Sequence, residues 1–285
     1  MVGREWFGDV MATRMIVPGT QSVVYTDDWI LSEFGKSLTT SRFQIYLQPQ
    51  VDVSGRIIGA EVLSRWFDQD GNMIPVDQFL SVVCRSELIA QMDKHVWELT
   101  AELLHSWKGT PMEELYLSVN VEPKDFIYMN VPETLHSVCE RYGVSVGRVH
   151  VEITERGFSS DLFSPELFID LLHKDGVMVE IDDFGKGSSS LALLKDFDVD
   201  ILKLDMAFIQ DSGHEQRKRI VLESIVDMAR KLKTCVIAEG VETPHQWEIV
   251  RDVGCDCYQG FLFSKPLPVK EFEIFYQDHN KHRLC

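Results

Sequence analysis

The chain has 285 residues, 45% of them apolar, and its 28 Lys and Arg against 45 Asp and Glu leave a formal charge of −17. That length supports one large domain or two small ones, and 16 Phe with 6 Trp supply the apolar bulk for a full core, which excludes a disordered chain. The acidity excludes a broad DNA-binding surface, which needs clustered Lys and Arg to replace condensed counterions, so a phosphate ligand has to be met by a local device such as a bound metal.

Residues 1 to about 40 have weak periodicity and read as an N-terminal extension or linker, partly helical, with WILSEFGKSL (29–38) as a short amphipathic helix. From residue 41 to 285 a single barrel domain is expected. Its β-branched, apolar runs are FQIYLQPQVD (43–52), IIGAEVLSRW (57–66), LYLSVNV (115–121), VHVEITE (149–155), VMVEIDDFG (177–185), DILKLD (200–205), TCVIAEGVE (234–242) and DCYQGFLFS (256–264). Between them lie helix-like stretches: FLSVVCRSELIAQMDKHVWELTAELLHSW, PETLHSVCERYG, PELFIDLLHKDG, SSLALLKDF, EQRKRIVLESIVDMARKLK and PHQWEIVRDVG. Gly143, Gly176 and Gly254 follow helices where a left-handed cap belongs. Strands alternating with helices predict a parallel sheet covered by helices. About eight strands, with no GxGxxG after any of them, fit a TIM-like (β/α)8 barrel of the α/β class better than an open doubly wound sheet.

No run of about 18 apolar residues occurs, so no membrane span is expected. The start MVGREWFGDV puts Arg4, Glu5 and Asp9 where a secretory signal needs an apolar stretch, which points to the cytoplasm. The six cysteines lack the spacing of a disulfide framework or a zinc knuckle and read as reduced thiols, the Cys255–Cys257 CxC pair included.

A buried barrel strand should be almost wholly apolar, so its polar residues carry the information. By alternation Glu61 shares a face with Leu63 and Arg65, Glu152 with Thr154, Asp182 with Glu180, and Lys203 with Asp205. Most lie toward the C-terminal ends of their strands, where barrel enzymes keep their chemistry. Glu61, Glu152, Asp182, the adjacent Asp183, Glu239 and the amide Asn120 would converge on one mouth, and such acids repel unless cations sit among them. An all-oxygen set favours Mg²⁺ or Mn²⁺, and two such ions about 3.5–4 Å apart serve in-line displacement at a phosphodiester. Any one of these residues could instead pair with an Arg or cap a helix; five acids and an amide gathered from successive strands argue against that account. Lys203 is either a counter-charge for the acids or the group that orients an attacking water. Arg65 is either a phosphate clamp or half of a structural salt bridge. Gln259 either hydrogen-bonds the water site or caps a turn.

At these residues the sequence resembles the EAL-domain family of cyclic di-GMP phosphodiesterases, over about Phe43 to Leu267. YLQPQVD is similar to the family's YQPIVD, and AEVLSRW to EALLRW. VNVEP matches its NLS segment with Asn120 kept and Ser replaced by Glu122, VEITE matches ELTE, and IDDFGKGSSSL matches DDFGTGYSSL. VDILKLD, IAEGVET and YQGFLFSKPL match further blocks. The resemblance implies metal-dependent hydrolysis of cyclic di-GMP to linear 5′-pGpG, with two Mg²⁺ or Mn²⁺ ions held by Glu61, Asn120, Glu152, Asp182, Asp183 and Glu239. It implies catalytic roles for Glu61, Lys203, Glu239 and Gln259, and substrate contacts from Gln48, Leu63, Arg65 and Asp205. Glu155 and Glu242 would hold loops. It also implies a first barrel strand antiparallel to the rest, and a homodimer through the 206–233 helix and the 182–190 loop.

Three further departures stand out: Lys186 replaces Thr and Ser188 replaces Tyr in the loop, and Cys84 stands where the family usually carries Glu in its AExxGLI helix. The altered loop is the feature that favours an alternative, a non-catalytic EAL domain that senses the nucleotide or docks another protein. A more distant rival, a Schiff-base lyase using Lys203, leaves the acids unexplained.

Overall fold

The computed structural model describes residues 15–16, 23–158, 164–185, 190–205 and 215–281. Eight strands close a barrel: β1 (Phe43–Asp52), β2 (Ile57–Phe67), β3 (Tyr116–Asn120), β4 (Val149–Thr154), β5 (Val179–Phe184), β6 (Ile201–Leu204), β7 (Cys235–Ala238) and β8 (Cys257–Tyr258). From β2 to β8 every neighbouring pair is parallel. The ring is completed by β1, which runs antiparallel to both β2 and β8, as the family resemblance implies. The barrel class read from the alternation of strands and helices is therefore the one observed.

The helices of more than one turn are α1 (Asp27–Thr39), α2 (Val76–Val83), α3 (Leu88–Ser106), α4 (Val131–Tyr142), α5 (Pro165–Lys174), α6 (Ser190–Asp196), α7 (Glu215–Leu232), α8 (Pro244–Asp252) and α9 (Val269–Lys281). Gly143, at φ +63°, ends α4 in the left-handed region that a residue without Cβ enters at no steric cost, and Gly176 and Gly254 take the same region after α5 and α8. The continuous helix expected from Phe79 to Trp107 is broken at Cys84–Glu87, between α2 and α3. Of DCYQGFLFS only Cys257 and Tyr258 pair as strand; the chain turns at Phe261–Phe263, where the amides of Leu262 and Phe263 bond back to Val241 and Gly260.

The main core lies between barrel and helices, where outward-facing Leu117, Val151 and Ile181 meet Leu104, Leu135 and Phe168. A second cluster is aromatic. Phe43 and Trp66 stack at 4.7 Å where β1 begins and β2 ends, and Phe34 of α1 meets Trp66 edge-on. Helix α1, part of the expected extension, is thus docked on the barrel flank, with Glu33 paired to Arg42 at 3.0 Å. This cluster braces the end of β2 that carries Arg65. Among the described residues no helix is long and apolar enough to cross a membrane.

Candidate functional site

Inside the barrel the strands present polar side chains where an ordinary core would be apolar. Lys203 on β6 is fully buried, and its Nζ lies 2.6 Å from Glu152 and 2.9 Å from Glu239, with Glu61 and Asp182 each at 3.4 Å. Three strands and the residue that follows β7 therefore deliver four carboxylates to one ammonium. Burial alone would lower the lysine pKa, yet Asp182, Glu152, Glu239 and Glu61 together hold it well above its ordinary value. Burial and the neighbouring acid Glu61 push Glu152 up, and burial likewise raises Glu239 despite its contact with Lys203.

The pairing of β5 with β6 explains how two consecutive acids face the same way. The register slips between Ile181 and Phe184, leaving an extra residue in β5. Asp183 takes φ +57°, a left-handed conformation that aspartate tolerates better than most residues, and its N–H donates to Asp182 Oδ1 at 2.8 Å. Simple alternation would send Asp183 to the outer face. With the bulge, carboxylate oxygens of Asp182, Asp183 and Glu239 all lie within 4.8 Å of one another. Glu155 supports this corner, accepting from the Gly185 N–H at 3.2 Å.

On the opposite side Gln259 donates to Glu61 and, at 3.2 Å, to Gln48, while its own carbonyl accepts from Gln50 at 2.9 Å. Gln259 thus fixes the Glu61 carboxylate rather than capping a turn. Gln50, which was not among the expected site residues, is fully buried; its place two residues after Gln48 on the same strand face was the signal for it. Glu61, Gln48, Gln259, Asp183, Asp205 and Glu239 line one cavity of about 250 Å³. Asn120, Leu63 and Arg65 line an adjoining one, which shares Glu61. Arg65 donates to the Ser64 carbonyl at 2.8 Å and lies over the Tyr46 ring, with no carboxylate within salt-bridge distance among the described residues. Its guanidinium thus keeps donors for an anion.

Glu242 also lines the first cavity, but its side chain is exposed; the loop is held by Gln246, which accepts from the N–H groups of Glu242 and Thr243. Lys186 and Ser188 lie outside the described residues. Cys84, Cys139, Cys235, Cys255 and Cys257 are free thiols.

Five carboxylates against one lysine leave the cluster strongly anionic, and its ligands are all oxygens. The three closest acids can share one ion, and Glu61, Glu152 and Asn120 extend the same mouth. This donor set suits hard divalent cations such as Mg²⁺ or Mn²⁺.

Comparison with known proteins agrees with this geometry. The EAL domain model matches residues 32–266. The chain is 31% identical over 92% of its length to the cyclic di-GMP phosphodiesterase NbdA of Pseudomonas aeruginosa, covering 33% of that protein. It is 32% identical over 82% of its length to the probable cyclic di-GMP phosphodiesterase PdeB of Escherichia coli, covering 45% of it. The chain thus spans about a third to a half of these relatives. The structure of the Pseudomonas aeruginosa MucR phosphodiesterase in complex with cyclic di-GMP superposes with a TM-score of 0.79 at 28% identity, over 85% of this chain and 99% of that one. The match of the family model over most of the chain, on a barrel whose first strand runs against the rest, makes this protein a member of the EAL-domain family.

Proposed function

We propose that the protein hydrolyses cyclic di-GMP to linear 5′-pGpG with two divalent cations, Mg²⁺ or Mn²⁺. The observation that carries this reading is the meeting of Glu61, Glu152, Asp182 and Glu239 on Lys203, with Asp183 turned toward them by the β5 bulge. Glu61, Asn120, Glu152, Asp182, Asp183 and Glu239 would hold the ions, which when bound acidify water and neutralise the phosphate. Water adds across the P–O3′ bond: its oxygen bonds to phosphorus while the 3′ oxygen leaves and takes up a proton. Lys203 offsets the mutual repulsion of the carboxylates and orients the attacking water, and Arg65 donates to a phosphate oxygen. Gln259 holds Glu61 in place, Gln48, Leu63 and Asp205 shape the substrate channel, and Glu155 fixes the loop after Asp183. The sequence and structural relatives, cyclic di-GMP phosphodiesterases and a cyclic di-GMP complex among them, support the choice of substrate.

The proposal includes a homodimer. Helix α7 buries Leu222, Ile225, Val226 and Ala229 and leaves Ile220, Val221 and Leu232 exposed; Leu191 of α6 is itself 61% exposed. An exposed apolar set of this kind on a helix whose other exposed positions are polar or charged fits a second copy of the chain. Its expected extension into residues 206–214 and 186–189 falls outside the described residues.

The test is incubation of the purified protein with cyclic di-GMP and Mg²⁺ or Mn²⁺, followed by separation of the products. Formation of pGpG that stops on adding EDTA supports the reading. Tight binding without turnover assigns the chain to nucleotide sensing, and turnover that survives chelation overturns the metal mechanism.

A further inference from the structure

Glu122 follows Asn120 by two residues in the loop leaving β3, and it lines the same cavity of about 220 Å³ as Arg65. Leu63, Leu80 and Met92 form apolar walls, and Asp93 lies at the cavity with its Oδ2 buried and reached by no hydrogen-bond donor. The Glu122 carboxylate is only partly exposed and makes no hydrogen bond or ion pair among the described residues, and burial pushes its pKa up. Keeping such a group without a partner costs stability, which is the mark of a place that receives a ligand.

The sequence departs from the family pattern twice at this spot. Glu122 stands for Ser, and Cys84 stands for Glu. The two positions are far apart in sequence, yet Cys84, at the end of α2, sits beside Glu122, Asp93 and Asp125, whose charges join burial in pushing its thiol up to about 12. Relative to the family pattern, one position beside the cavity lacks an acid and another gains one.

We propose that Glu122 supplies, from the loop after β3, the carboxylate that the family pattern carries at position 84, and that it receives the N1–H and N2–H donors of a substrate guanine. The inference rests on cyclic di-GMP being the ligand. A carboxylate offers two acceptors side by side, matching the two adjacent donors on guanine's pairing edge, while the flat faces of the base suit Leu63, Leu80 and Met92. Adenine presents an acceptor where guanine presents N1–H, so the same carboxylate rejects it. With the base seated here, Arg65 stands at the cavity's edge for the phosphate that follows.

The test is calorimetric binding of cyclic di-GMP and cyclic di-AMP to the full chain with Ca²⁺, which takes the same oxygen ligands. The wild type should bind the guanine compound and discriminate against the adenine one. Glu122→Ser should weaken cyclic di-GMP binding by about 10- to 100-fold, the worth of a good bidentate base contact, without weakening cyclic di-AMP. Adding Cys84→Glu to that variant should restore most of the loss, a rescue that a merely structural role for Glu122 would not produce. Should Glu122→Ser not fold, Glu122→Gln keeps the shape and removes one acceptor, and it should show the same loss of discrimination. Unchanged discrimination in a folded variant, or no recovery in the double variant, overturns the inference alone. A wild type that binds neither dinucleotide overturns the functional reading and the inference with it.

Discussion

Lys203 Nζ lies 2.6 Å from Oε2 of Glu152, and both side chains are shut off from solvent inside the barrel. The other Glu152 oxygen, Oε1, is buried with no hydrogen-bond partner, so Lys203 is the only cation that this carboxylate touches among the described residues. Removing one member of a buried ion pair strands the other, at a cost of about 3–5 kcal/mol. Lys203→Met is therefore expected to lower the urea midpoint sharply in metal-free buffer, and adding Mg²⁺ should recover part of the loss. A variant as stable as the wild type without metal would show that Lys203 is not the counter-charge of the cluster.

Asp182→Asn and Glu61→Gln act in the opposite sense on stability. Each removes one negative charge from a group in which the acids raise one another's pKa, so neither leaves a cation stranded: Lys203 keeps its three other carboxylates. We expect both variants to fold and to be at least as stable as the wild type in EDTA, while turnover of cyclic di-GMP falls by about two orders of magnitude or more through loss of a metal ligand. Wild-type turnover in Asp182→Asn would remove the two-metal assignment.

How much of this was legible in the sequence depends on whether local pattern or long-range pairing decided the outcome. Strand β1 matches its expected span, Phe43–Asp52, because an unbroken run with Gln48 and Gln50 at period two has no competing helical reading. The place of Asp183 was not legible as geometry: alternation sends it outward, and only the bulge against β6 brings it back. The break at Cys84–Glu87 carries no Gly or Pro to announce it, and α9, Val269–Lys281, was missed because its weak apolar stripe follows a segment read as strand. Which acids belong together was recoverable, since strand-end carboxylates are costly unless shared. That Lys203 touches four of them, and that Gln259 bonds both Gln48 and Glu61, required the closed barrel.

The exposed apolar face of α7 yields a separate prediction. Ile220 is 56% and Val221 43% exposed, and neither belongs to the stripe that holds the helix to the barrel. Ile220→Glu should leave thermal stability at low protein concentration within about 0.5 kcal/mol of the wild type, as for other surface changes, while shifting the solution mass toward monomer. Sedimentation velocity at micromolar concentration checks it. Identical sedimentation of variant and wild type would mean that this face is not the dimer contact.

The last prediction concerns a pair that the chemistry does not use. Beneath the acid cluster, Glu180 Oε1 and His150 Nδ1 are 2.8 Å apart, and Tyr116 stacks on the imidazole at 3.9 Å between ring centres. Gly59 makes room for that tyrosine, because a Cβ there would come within 2.5 Å of its ring. Burial raises Glu180 from 4.5 to about 8 and lowers His150 from 6.5 to about 4, so near neutral pH both are uncharged and the Glu180 hydroxyl donates to Nδ1. A carboxyl whose folded pKa exceeds its unfolded one holds a proton that the unfolded chain has released. Its stabilising contribution is complete below about pH 4.5 and is lost as pH rises through about 8. Glu180→Gln keeps a donor for His150 and cannot ionise. The variant should therefore gain stability relative to the wild type steadily between pH 4.5 and 8 and hold that gain above it, as read from urea midpoints across the range. A stability difference that stays flat with pH would mean that Glu180 is ionised in the folded barrel, and that its partner is a charged imidazolium rather than a neutral ring.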